Sequence, residues 1–92
     1  MKYRVKAGFE LKDIAGELIL LPRGESTVDY NYVTVFNETG ALIIRAMSDW
    51  TDVQTLAACL VKEYGISAGE AAEDTQAYLD KMLEEGFIEV QD

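Results

Sequence analysis

The sequence predicts an α+β fold in which a small antiparallel sheet of three strands precedes three helices and a short terminal strand. Three observations lead there. Residues 5–36 carry alternating or β-branched runs broken by Ala15-Gly16, Pro22 and Gly24. From Asn37 onward apolar residues recur at three and four positions, the period of an amphipathic helix. Each helical stretch is also bounded by residues that favour helix ends. With 92 residues, 49% of them hydrophobic and 27% charged, the chain has material for one core, and a single domain over 1–92 is expected.

Strand one is read over 5–11, where Val5, Ala7, Phe9 and Leu11 alternate with Lys6, Gly8 and Glu10. Ala15-Gly16 supplies a turn, and the apolar run over 17–21, closed by Pro22, pairs with strand one as a hairpin. A polar loop over 23–27 leads to strand three, read over 28–36 from its density of valine, threonine, tyrosine and phenylalanine. Asn37 then caps a first helix carrying Ala41, Leu42, Ile44 and Met47 on its apolar face, which ends at Ser48-Asp49. Thr51 to Gln54 has the spacing of a capping box and opens a second helix, with Val53, Leu56, Ala57, Leu60, Val61 and Tyr64 in phase and Gly65 at its end. Ser67 to Glu70 repeats that spacing for a third helix, which runs to Glu85 and stops at Gly86. Residues 87–90 alternate as the terminal strand.

Composition narrows the function. A net charge of −9, from 17 acidic against 8 basic residues, repels a phosphate backbone or an anionic membrane, so neither nucleic acid nor membrane is an expected partner. The longest apolar run, Leu18 to Leu21, is far shorter than the roughly 20 residues of a bilayer span. One cysteine forms no internal disulfide and the first residues lack the apolar run of a signal peptide, so a cytoplasmic location is expected. The absence of histidine removes the commonest general base and zinc ligand. Cys59 reads as a packing residue on the flank of the second helix, and the many carboxylates read as solvated helix faces. We therefore expect no enzyme, no metal and no cofactor.

A binding site is more plausible than a catalytic one. On helix three, Ala72, Thr75, Leu79, Leu83 and Gly86 form one stripe, read as the core face. Beside it lies a second row of Ala71, Asp74, Tyr78 and Met82, with Lys81 and Glu85 at its margin. This row reads either as a groove wall or as a widened core contact. A strand-three edge left unpaired would add the main-chain donors and acceptors needed to receive another strand.

Several motifs in order give a resemblance. Asn37-Glu38-Thr39-Gly40-Ala41 at the strand-to-helix step, Thr51-Asp52-Val53, Tyr64-Gly65-Ile66, and the exit Leu83-Glu84-Glu85-Gly86-Phe87-Ile88 resemble the PqqD family, the D protein of pyrroloquinoline quinone (PQQ) biosynthesis. The likeness spans about residues 9–90. It implies a winged-helix-like domain, the RiPP recognition element, without catalysis. Such a domain binds the leader of a ribosomally made precursor peptide by strand addition and presents it to a separate modifying enzyme, such as a radical-SAM protein. Carried onto this sequence, the resemblance implies peptide-binding roles for Tyr32, Val33, Thr34, Val35 and Phe36 on strand three, and for Asp74, Tyr78, Lys81 and Met82 on helix three. The connection over 22–31 is longer and more polar than the family's short one, which leaves the register of strand three open.

Two other readings stand beside this one. Three helices with a small sheet also describe a winged-helix DNA-binding regulator, against which the net charge argues. A free strand edge equally suits a protein-interaction module, so the chain is expected as a monomer or a weakly strand-paired dimer.

Overall fold

The computed structural model describes residues 1–22, 34–47 and 49–92. In order, the elements are β1 (Lys2–Val5), β2 (Phe9–Ile14), β3 (Glu17–Pro22), β4 (Thr34–Phe36), α1 (Glu38–Arg45), α2 (Val53–Tyr64), α3 (Ala68–Glu85) and β5 (Ile88–Gln91). The α+β class is as the sequence predicts, but the strands form two antiparallel sheets: β2-β3-β4, and β1 with β5.

Strand one of the sequence reading is divided between the two sheets. Val5 ends β1 opposite Ile88, and after a turn over 6–8 Phe9 begins β2 opposite Pro22. At the turn Lys6 N–H donates to the Phe87 carbonyl at 3.0 Å and Phe9 N–H to the Lys6 carbonyl at 3.3 Å. The alternation runs unbroken across this turn because Val5 and Phe9 both point inward from different sheets. Tyr3, 3% exposed, also pairs with Thr51 through reciprocal backbone hydrogen bonds of 2.8 and 2.9 Å.

The β2–β3 hairpin closes with two residues at positive φ, Ala15 at 53° and Gly16 at 84°, with Ile14 opposite Glu17. Two positive φ angles match the type I′ turn, whose twist suits the paired strands. β4 then adds to β3 with Leu18 opposite Phe36, Ile19 opposite Val35 and Leu20 opposite Thr34. The earlier part of the expected third strand, 28–33, and the loop before it lie outside the described residues.

The helices begin and end on local chemistry. Asn37 Oδ1 accepts from Gly40 N–H and Ser67 Oγ from Glu70 N–H, while Gly65 and Gly86 close α2 and α3 in the left-handed conformation. The cap of α2 differs from expectation. Asp52, not Thr51, accepts from Thr55 N–H, at 2.8 Å. Thr51 is held by its backbone pairing with Tyr3, and its hydroxyl donates to the Asp49 carbonyl at 2.8 Å.

The core joins both sheets to the helices through Leu18, Leu20, Ile43, Ile44, Leu56, Leu60, Leu79 and Ile88. Phe9 and Phe87 meet edge to face at 5.5 Å between ring centroids. At the rim, Arg4 stacks 4.3 Å from the Trp50 ring centroid and pairs with Glu89 at 3.0 Å. On α3 the buried positions are Ala71, Thr75, Leu79 and Met82. The core face is thus turned toward the expected groove row: Ala71 and Met82 enter the core, and Ala72 and Leu83 lie half-buried on its other flank. Among the described residues no helix is long and apolar enough to cross a membrane.

Candidate functional site

Among the described residues β4 is bonded on one side only: its partner is β3, and no strand lies along its other edge. A strand in this state keeps a row of main-chain donors and acceptors for a further strand. Its last residue, Phe36, is half-buried and leads directly into the Asn37 cap of α1.

That junction is where α3 arrives. Tyr78 Oη donates to Asn37 Oδ1 at 2.7 Å, across 41 residues of sequence, while the same oxygen accepts from Gly40 N–H at 2.8 Å. One side-chain oxygen therefore caps α1 and ties α3 to the end of β4. The approach depends on Gly40. A Cβ there would stand 3.1 Å from Tyr78 Cε1, 3.2 Å from Asn37 Oδ1 and 3.3 Å from Phe36 Cδ1.

Of the sequence-predicted residues, the structure brings Phe36 and Tyr78 to one place. Thr34 and Val35 lie on β4, and Tyr32 and Val33 are outside the described residues. Asp74 and Lys81 are exposed, about one helical turn to either side of Tyr78. Met82 is 3% exposed and packs in the core, so it does not stand at the surface. Sequence reading took Asn37 as a cap and named Asn37 and Gly40 in the strand-to-helix motif, but gave neither a place in the site. The available signal was the pair itself, a glycine three residues after the cap, where nothing in helix formation asks for one.

Cys59, half-buried, donates its S–H to the Thr55 carbonyl at 3.5 Å within its own helix. Among the described residues no cluster of three or more metal-binding side chains occurs. At the α2 cap, hydrogen bonds from the Thr55 side chain and backbone hold Asp52 below its ordinary value. These groups lie away from β4.

Comparison with known proteins bears on this geometry. A lasso peptide synthetase B1 solved with the leader peptide shares the fold with a TM-score of 0.78 and 20% identity, over 98% of this chain and 100% of that one. TbiB1 in complex with the TbiA(beta) leader peptide superposes with a TM-score of 0.79 and 12% identity, over 97% and 98%. Among curated proteins, none matches the chain. The family described as Coenzyme PQQ synthesis protein D matches residues 17–88, from the start of β3 through all three helices into β5. This stretch holds β4 and the Tyr78 anchor, and by that match the chain belongs to the PqqD family.

Proposed function

We propose that this chain is a non-catalytic recognition domain that holds the leader of a ribosomally synthesised precursor peptide and presents it to a separate modifying enzyme. The leader adds as a strand to the free edge of β4, facing α3. The observation that carries this reading is a strand at the edge of its sheet, unpaired on its outer side among the described residues, whose end is anchored to α3 by Tyr78 and Asn37. Two solved proteins of the same fold hold leader peptides, which supports it further. Main-chain hydrogen bonds along the edge give affinity, and side chains around Phe36, Asp74, Tyr78 and Lys81 select the sequence. With a net charge of −9, the domain favours an apolar leader with neutral or basic flanks.

The test is titration of the isotope-labelled chain with the leader of a precursor encoded beside its gene. Amides of residues 34–36 and of α3 around Tyr78 are expected to shift, and Tyr78→Ala to weaken binding at least tenfold. Binding that leaves those amides unmoved refutes the assignment.

A further inference from the structure

α3 has a second flank that the β4 reading does not use. Where α2 and α3 run past each other, Ala57, Ala58, Val61 and Lys62 face Ala68 and Ala72 across an open, mostly apolar groove. Ala58, Ala68 and Lys62 are exposed, and Val61 and Ala72 are half-buried. At about 100° per residue, Tyr78 lies roughly 120° from Ala72 around α3, so groove and β4 junction occupy opposite flanks.

Charge around the groove is one-sided. Counting away from Tyr78, exposed Asp80, Glu73 and Glu84 follow Ala72 by roughly 80–120° and form an acidic row along α3, beside the groove and outside its own lining. Among the described residues no lysine or arginine pairs with these carboxylates. The α2 rim, by contrast, has Ala58 and the single cation Lys62.

We propose that this groove receives an amphipathic helix from a protein partner, with large apolar side chains on the alanine floor and a row of lysine or arginine along the flank above α3. The occupant is a helix because both walls are helices whose backbone groups are bonded internally, leaving nothing to satisfy an inserted strand. It is cationic on one flank because it meets carboxylates on one side only. A second copy of this chain fits poorly, since its helices would bring carboxylates against carboxylates. The inference does not depend on β4 binding a peptide.

The probe is a synthetic helix of about five turns, with a leucine face and lysines along one flank, titrated into the labelled full chain. Amides of Ala57, Val61 and Ala72 are expected to shift. Replacing the lysines by glutamine should weaken binding about fivefold to tenfold, and glutamate should weaken it further. Ala58→Arg, at an exposed position, should reduce affinity at least tenfold without lowering the melting temperature, while Tyr78→Ala should leave it unchanged. Glu73→Gln with Glu84→Gln should remove most of the lysine preference. The proposal is overturned if lysine and glutamine probes bind equally, if the shifts gather on residues 34–36, or if sedimentation shows the groove closed by self-association.

Discussion

Gly40 tests the site geometry directly. In an ordinary helix interior, replacing glycine by alanine stabilises by up to about 1 kcal/mol. Here the new methyl would meet three atoms at 3.1–3.3 Å, inside the usual separation of about 3.5–4.0 Å. Asn37 Oδ1 has little freedom to withdraw, because Gly40 N–H holds it at 2.8 Å and Tyr78 Oη at 2.7 Å. The Tyr78 ring has to yield, stretching its own hydrogen bond. Crowding of this kind costs about 1–3 kcal/mol, so Gly40→Ala should destabilise the chain by a net of about 0.5–2 kcal/mol. Urea unfolding measures this, and the melting temperature should fall by about 4–8 °C per kcal/mol. The same substitution in a Tyr78→Ala background should cost about 1 kcal/mol less, because the nearest obstacle is gone. If Gly40→Ala stabilises the wild-type chain by about 1 kcal/mol, as propensity alone requires, the close approach is not what the glycine serves. An effect independent of the ring refutes the argument equally.

Three further outcomes are expected. Ala15, at φ 53° in the hairpin turn, sits where asparagine is favoured, so Ala15→Asn should stabilise by about 0.5–1 kcal/mol in thermal unfolding. Leu79, fully buried on α3, should cost about 2–5 kcal/mol as Leu79→Ala, read as a shifted urea midpoint. Asp52 has a folded value below its ordinary 3.8, so its contribution is present above that value and lost as pH falls through the folded one. Asp52→Asn keeps a cap-forming side chain but does not titrate. The stability difference between wild type and this variant should therefore shrink as melting is followed to acid pH.

What could be read from the sequence was what neighbouring residues decide. The Ala15-Gly16 hairpin, the caps at Asn37 and Ser67, and the glycine stops at Gly65 and Gly86 each rest on a few adjacent residues, and each appears as expected. The failures were choices between local equivalents, decided by distant partners. Thr51 and Asp52 can both cap a helix, and Thr51 was taken by Tyr3, 48 positions earlier. The apolar band of α3 is wide enough for two phases. Its contacts with α2 on one side and the β4–α1 junction on the other brought Ala71 and Met82 inward. A strand over 34–36 was legible from β-propensity, but its anchor to α3, a tyrosine hydroxyl on a cap oxygen, links residues that no periodicity relates.

The pairing of β1 with β5 has a consequence for how the molecule comes into being. Residues 2–5 are made well before residues 88–91, yet each completes the other's ladder. During synthesis Tyr3, and the Phe9 ring that meets Phe87, therefore wait for partners that leave the ribosome only after all three helices. Contacts so far apart in sequence are formed late and slow folding. The hairpin and helices can assemble beforehand, but the apolar underside of β1 stays open to unwanted partners until β5 has been made. Trimming the last strand would leave that newborn state permanent.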